Sequence, residues 1–464
     1  MTEAKTVGDL KSSGYTILSV RDEMRRNLIN QLKNGQEVFP GVIGYQDTVI
    51  PQLQNAILSG QDIILLGERG QAKSRIIRSL TSLLDEYTPV LDGVEIPENP
   101  FHPISLAGKE LIAEKGDDAP IRWMHRDNRY GEKLATPDIT IADLIGEVDP
   151  IKIAEGRYLS DEDALHFGLI PNTNRGIFAI NELPDLAERI QVGLLNVMEE
   201  RDIQIRGHKI RLDLDILIVA TANPEDYTNR GRIITPLKDR YGSQIRTHYP
   251  TNILEEVAIM EQEQRRLDLG DYDEQVPAFM SQVIAEISQR ARKSPDVNQR
   301  SGVSVRASVS NYEAMLANAL RRAISNGETE VVPRISDLPF IMPSLQGKIE
   351  FEAMEEGREE KIMEKLFKDA IKAVYSRFTE LAEMEVIALQ FADGMHVATG
   401  ESIPSSEYEA ILHKIEGLEG AVTKLVGNAS VAQRASAAEF ILEGLHINQL
   451  LNKDRVSGRA TYRG

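Results

Sequence analysis

The chain carries three short apolar runs in its first half: Ile63-Ile64-Leu65-Leu66, Ile177-Phe178-Ala179-Ile180 and Ile216-Leu217-Ile218-Val219-Ala220. None alternates with polar residues, so each reads as a parallel strand buried on both faces. Each run stops at a polar cluster, and in open α/β sheets ligands gather at such carboxyl ends of strands. Between the runs lie amphipathic stretches at helical spacing, such as Ile76, Ile77, Leu80, Leu83 and Leu84, and Leu186, Ile190, Leu194, Leu195 and Met198. Ile203, Ile205, Ile210 and Leu212 alternate around Arg206-Gly207-His208, the pattern of a β-hairpin inserted before the third run. From Val42 to about Thr251 the expectation is therefore a three-layer α/β domain.

The flanks read differently. Leu28, Ile29 and Leu32 suggest a helix in the first 40 residues, closed by Phe39-Pro40-Gly41. Beyond Ile253 strand patterns largely vanish, and Val283, Ile284, Ile287 and Ala291 mark a helical lid. Pro333, Pro339 and Pro343 interrupt the pattern. A new stripe of Ile362, Leu366, Ile371, Val374 and Phe378 then opens an all-helical C-terminal region. The divisions expected are 1–40, 41–252, 253–345 and 346–464, with Lys453, Arg455, Arg459 and Arg463 in a frayed basic tail.

Composition narrows the function. With 41% hydrophobic and 27% charged residues, the balance is globular. No apolar run is long enough to span a bilayer, and Met1 to Leu10 hold no apolar signal core, so no membrane insertion and a cytoplasmic location are expected. The absence of cysteine excludes disulfides and thiolate metal sites. Lys and Arg number 53 against 72 Asp and Glu, a formal charge of −19 that disfavours nucleic acid as a partner. None of the eight histidines stands in an H-E-x-x-H arrangement, and no G-x-S-x-G elbow appears.

The chemistry concentrates in Leu66-Gly67-Glu68-Arg69-Gly70-Gln71-Ala72-Lys73-Ser74, directly after the first strand and before a helix. A phosphate loop needs inward backbone N–H groups, a Lys for the β and γ phosphates and a hydroxyl for Mg²⁺. Gly67, Gly70, Lys73 and Ser74 meet those needs. Ala72 stands where a glycine is usual and takes positive φ less readily. The second strand ends in Asn181-Glu182, where an ATPase places an acidic pair. Glu182 is the candidate base. Asn181 would face the metal and accept a hydrogen bond, but it brings no charge to Mg²⁺. The third strand ends Ala220-Thr221-Ala222-Asn223-Pro224, and Asn223 is placed to orient water between Glu182 and a γ-phosphate.

In order and context these elements resemble the AAA+ ATPases, in the branch of the magnesium chelatase ATPase subunit and the MoxR-type proteins. The likeness runs from about Val42 to about Arg306. It implies an α/β P-loop AAA+ core with a parallel sheet, then a helical lid, with MgATP bound between subunits of a ring, hexameric by expectation. It also implies further site residues. Arg240, in Thr235-Pro236-Leu237-Lys238-Asp239-Arg240-Tyr241, is placed like the arginine finger that reaches the neighbouring subunit's γ-phosphate. Arg306 is placed like the sensor 2 arginine, with Arg300 as competitor. Ile43 and Gly44 sit where adenine is framed, and Asp143 to Asn174 would hold the helix 2 insertion that touches partners. MoxR-type members often carry Ala at the position of Ala72, whereas Asn181 replaces the usual Asp.

Members of this branch usually act with a protein carrying a von Willebrand factor A domain. No D-x-S-x-S motif occurs here, so that partner is expected to be a separate chain. The function implied is a ring ATPase that remodels or activates such a partner. A weakly hydrolysing, nucleotide-dependent scaffold is the alternative, favoured by Asn181 and opposed by Glu182, Asn223 and Arg240. A transcription activator is disfavoured because no Gly-Ala-Phe-Thr-Gly-Ala loop is present, and a helicase because of the charge. The only Trp, in Ile121-Arg122-Trp123-Met124-His125-Arg126, fits no motif and reads either as packed or as a partner contact.

Overall fold

A computed structural model describes residues 3–149, 164–199, 202–205, 208–223, 232–265, 270–298, 302–351, 358–456 and 459–464. The chain divides into two compact units, Met1–His248 and Tyr249–Gly464.

The first unit is built on five parallel strands: β1 (Ile63–Leu66), β2 (Tyr130–Leu134), β3 (Gly176–Asn181), β4 (Ile216–Ala222) and β5 (Ser243–Arg246), in spatial order β5-β1-β4-β3-β2. The three apolar runs are the three central strands. Their side chains alternate between two cores. Ile63, Leu65, Ile177, Ala179, Leu217 and Val219 pack on one face, and Ile64, Phe178, Ile180, Ile216, Ile218 and Ala220 on the other. Both faces are covered, so the three layers expected from the pattern are present.

The two edge strands were not legible in the pattern. Tyr-Gly-Glu-Lys-Leu in β2 is half-buried or exposed throughout, and in β5 only Ile245 is buried. An edge strand with one solvated side needs no apolar run.

The short α1 (Val7–Ser12) packs in a separate cluster with Leu91, Ala119 and Ile121, and three helices cover one face of the sheet: α2 (Val20–Lys33), α3 (Val49–Ser59) and α4 (Lys73–Ser79). The helix expected in the first 40 residues is α2, but its buried stripe is Val20, Met24 and Leu28 at four-residue spacing. Ile29 and Leu32 are exposed instead. Arg129, wholly buried just before β2, clamps α2 to the sheet. Its Nη1 and Nη2 donate to Glu23 Oε1 and Oε2 at 2.6 and 2.7 Å, and its Nε donates to the carbonyl of Arg175 at 2.6 Å.

The hairpin is present, with Ile203 opposite Ile210 and Ile205 opposite His208. Its tip, Arg206-Gly207, lies outside the described residues, as do Pro224, Arg300 and residues 150–163 of the expected insertion. Around 150–163, Gly146–Val148 pairs antiparallel with Leu165–Phe167. Trp123 is a packing residue: its indole N–H donates to the carbonyl of Ala4 at 3.0 Å and its ring meets Tyr15 edge-on at 5.6 Å.

The second unit is mostly helical. Its long helices are α5 (Ile253–Glu263), α6 (Ala278–Ala291), α7 (Val305–Asn326), α8 (Arg358–Phe378) and α9 (Val431–Ile447). Phe279 of α6 stacks on Phe440 of α9 at 4.5 Å, and a Cβ at Gly444 would strike the Tyr375 ring at 2.0 Å, so the helices meet there through a bare backbone. The C-terminal residues correct the expectation of a frayed tail. Asn452–Val456 and Arg459–Arg463 form a hairpin that pairs with Val397–Gly400. Tyr462 is buried and donates to Glu443 at 2.6 Å, while Lys453 ion-pairs with the same carboxylate. The tail is ordered by strand pairing, with Lys453 neutralised by the buried Glu443 and Arg463 paired with Asp454. No helix of the described residues is long and apolar enough to cross a membrane.

Removing one partner of a buried ion pair leaves an uncompensated charge. Arg129→Ala is therefore expected to cost about 3–5 kcal/mol in urea unfolding. Replacing both Glu23 and Arg129 by Leu and Met should cost far less than that single change.

Candidate functional site

The loop between β1 and α4 runs from Gly67 to Ala72 at the carboxyl edge of the sheet. Two of its residues take the left-handed conformation, Gly70 at φ 77° and Ala72 at φ 54°. Ala72 thus adopts the backbone that a glycine would hold freely, at a cost of about 1–2 kcal/mol. Gly67 is required for a different reason. A Cβ there would lie 1.9 Å from Thr247 Oγ1 and 2.3 Å from Gln71 Oε1. Those two atoms hold the loop closed: Gln71 Oε1 accepts from the Thr247 hydroxyl at 2.7 Å and from the Glu68 N–H at 3.0 Å. Tyr45 adds a strap from the turn after Ile43-Gly44, its hydroxyl hydrogen-bonding the carbonyls of Gln71 (3.0 Å) and His248 (2.7 Å).

Lys73 is buried at the start of α4. Its ammonium donates to the loop carbonyls of Gly67 and Glu68 and, at 2.7 Å, to Asn223 Oδ1 at the end of β4. The Asn223 Nδ2 donates in turn to Glu182 Oε2. Glu182 follows β3 in the left-handed conformation at φ 57°, a strained backbone that persists where surroundings enforce it. Its N–H donates to Thr221 Oγ1 at 3.0 Å. The start of α4 and the ends of β4 and β3 are thus joined in one chain, Lys73–Asn223–Glu182.

Asn181 sits beside this chain. Its Nδ2 donates to Glu132 Oε1, and its Oδ1 accepts from Thr221 Oγ1 at 3.4 Å. Glu132, on β2, also receives Arg78 Nε and Nη2 at 2.9 and 3.0 Å and the Tyr130 hydroxyl at 3.0 Å. The Arg78 guanidinium holds the Glu132 carboxyl below the ordinary carboxylate value, so it is ionised at neutral pH. Ser74 is exposed at the second position of α4, four residues from Arg78 and so on the same helix face.

The remaining expected residues lie elsewhere. Arg69 is exposed on the loop and Glu68 half-exposed. Arg240, at the end of the helix Thr235–Arg240, is partly exposed and ion-pairs with Glu199 and, at 3.1 Å, with Asp239. Arg306 is exposed near the start of α7 in the second unit, its N–H donating to Ser304 Oγ at 3.1 Å. Sequence reasoning missed Glu132, Arg78, Thr221, Thr247 and Tyr45. Only Arg78 left a trace, through its helical spacing from Ser74.

A model of the Sigma-54 interaction domain matches residues 153–238. The magnesium-chelatase 38 kDa subunit of Cereibacter sphaeroides is 26% identical over 260 residues, covering 54% of this chain and 69% of that protein. Magnesium-chelatase subunit ChlI of Nostoc sp. is 26% identical over 267 residues, covering 55% and 64%. These likenesses support an AAA+ ATPase of the magnesium chelatase ATPase subunit and MoxR-type branch. The chain spans 61–69% of the length of the first three magnesium-chelatase relatives. Among solved structures, NtrX from Brucella abortus in complex with ATP shares 13% identity, covering 75% of this chain and 66% of that one at a TM-score of 0.41. BchI in a cryo-EM-based model of its complex with BchD of magnesium chelatase shares 18%, covering 70% and 98% at 0.36.

The loop geometry makes opposite predictions for its two small residues. Gly67→Ala must displace Thr247 or Gln71 and is expected to lower stability by about 1–3 kcal/mol. Ala72→Gly relieves left-handed strain but adds unfolded-state entropy of similar size, so its change should stay within about 1 kcal/mol. Urea titrations of the two variants beside the parent chain measure both.

Proposed function

We propose that this AAA+ chain hydrolyses ATP with Mg²⁺ as one subunit of a ring, hexameric by the branch's habit, in the cytoplasm, and uses turnover to remodel a separate partner protein carrying a von Willebrand factor A domain. The observation that carries the reading is the bonded chain Lys73–Asn223–Glu182 at the mouth of a closed phosphate-type loop.

The residues fit both groups. The loop from Gly67 to Ser74 offers backbone turned by the left-handed Gly70 and Ala72, and Lys73 is already seated against that backbone. Moving the Lys73 ammonium from the Gly67 and Glu68 carbonyls to a phosphate exchanges neutral acceptors for a charged one, a stronger charge-assisted bond. For Mg²⁺, the Ser74 hydroxyl and the Asn181 amide oxygen are hard oxygen donors of the kind that ion takes. When bound, the ion supplies neutralisation of charge on the transferring phosphoryl group.

Glu182 would accept the proton of an attacking water at its carboxylate, with Asn223 orienting that water. Asn223 also ties the base to Lys73, so a phosphate that draws Lys73 away frees the amide to turn toward water. Arg240 would leave its surface pairs with Glu199 and Asp239 for the γ-phosphate held by a neighbouring subunit. Arg306 is assigned to the lid side of the same transferred charge, and Ile43 and Gly44 to the adenine. Glu68, Arg69 and Gln71 complete the loop. Lid motion on hydrolysis would carry the signal to the ring and the partner.

Steady-state hydrolysis with Mg²⁺ tests this reading. Lys73→Ala, Glu182→Gln and Arg240→Ala are each expected to lower turnover by about a hundredfold or more. Glu182→Gln should still bind ATP, and Arg240→Ala should recover when mixed with Lys73→Ala subunits that donate an intact finger. Tight ATP binding with no turnover in the parent chain, with or without a partner, would instead favour the scaffold reading that Asn181 supports.

A further inference from the structure

Asn181 stands where the branch has a carboxylate. A neutral amide can serve a magnesium-bound water only if its oxygen, not its NH₂ group, faces the ion. In isolation the two orientations differ little, because both ends of the amide hydrogen-bond well. This structure removes the ambiguity. The group behind Asn181 is Glu132, whose carboxylate oxygens already accept from Arg78 and Tyr130, so it is the Asn181 NH₂ that faces it. Asn181 Oδ1 is thereby turned the other way, toward Thr221 Oγ1 in the strand that carries Asn223.

Glu132 is itself pinned. Arg78 grips it through two parallel N–H···O bonds, and Tyr130 donates a third. Because Arg78 shares a helix face with Ser74, the clamp and the hydroxyl expected on Mg²⁺ hang from the same turns of α4. The network Arg78–Glu132–Asn181–Thr221 supplies an oriented dipole in place of the missing charge. An Asp at 181 would instead set two acceptor groups at hydrogen-bond distance with no donor between them.

We propose that Glu132 is the positioning residue that makes Asn181 competent toward magnesium, and that the pair works only as one acid and one amide, on either strand, never as acid beside acid. The inference rests on the nucleotide-binding reading above.

The test measures affinity for a fluorescent ADP analogue with Mg²⁺ and again with EDTA, for the parent chain, Asn181→Asp, Glu132→Gln and the double variant. The EDTA affinity is each variant's own reference, and the effect of Mg²⁺ is read as the tightening relative to it. The tightening produced by Mg²⁺ should fall about tenfold or more in each single variant, the loss typical of disturbing a group behind a metal ligand. Asn181→Asp fails through repulsion, and Glu132→Gln fails because its own NH₂ lets the Asn181 amide turn over. In the double variant the donor and acceptor are exchanged but matched, and the tightening should return to within about threefold of the parent.

Independent losses that multiply in the double variant overturn the clamp, as does Asn181→Asp alone tightening magnesium-dependent binding. A parent chain that binds no nucleotide in either buffer overturns the ATPase reading and this inference together, whereas binding without rescue overturns only the inference.

Discussion

The site depends on one buried cation. Lys73 lies inside the sheet's carboxyl edge, where an ammonium is tolerated only if acceptors surround it. Two loop carbonyls and Asn223 Oδ1 supply them. Because Asn223 also holds Glu182, the lysine fixes the ends of β4 and β3 against the loop after β1. The contacts that keep the loop shut are those a phosphate would take over in the proposed function, so folding and nucleotide binding would draw on the same donor.

Around that centre the structure stores strain in small amounts. Ala72 and Glu182 both hold left-handed backbone, each at about 1–3 kcal/mol. Their surroundings enforce it. Glu182 is anchored by its N–H to Thr221 and its carboxylate to Asn223, and Ala72 by the closed loop that Gln71, Thr247 and Tyr45 brace. The proposed nucleotide site is thus held by bonds from four separate segments of the first unit.

The second layer of the site lies on a strand with no apolar signature. β2 contributes Glu132, which reads as an ordinary exposed acid in Tyr-Gly-Glu-Lys-Leu and acts only because parallel pairing sets Lys133 opposite Ile180 and Leu134 opposite Asn181. Such a position can carry the compensating acid while β3 carries an amide, a rearrangement that a motif confined to β3 does not reveal.

The local sequence determined the central strands, the loop between β1 and α4, and the acid and amide at the ends of β3 and β4. Strands buried on both faces must be continuous apolar runs, and a phosphate-type loop is specified by a few adjacent residues. Tertiary structure alone decided the strand order, the edge strands, the clamp on Asn181, the brace on Gly67 and the ordering of the C-terminal hairpin. Each of those joins residues far apart in the chain: Lys73 and Asn223 are 150 positions apart, Thr247 and Gln71 are 176. Periodicity along a chain reports which face a residue turns to the core. It carries no information about which distant polar group will meet it there.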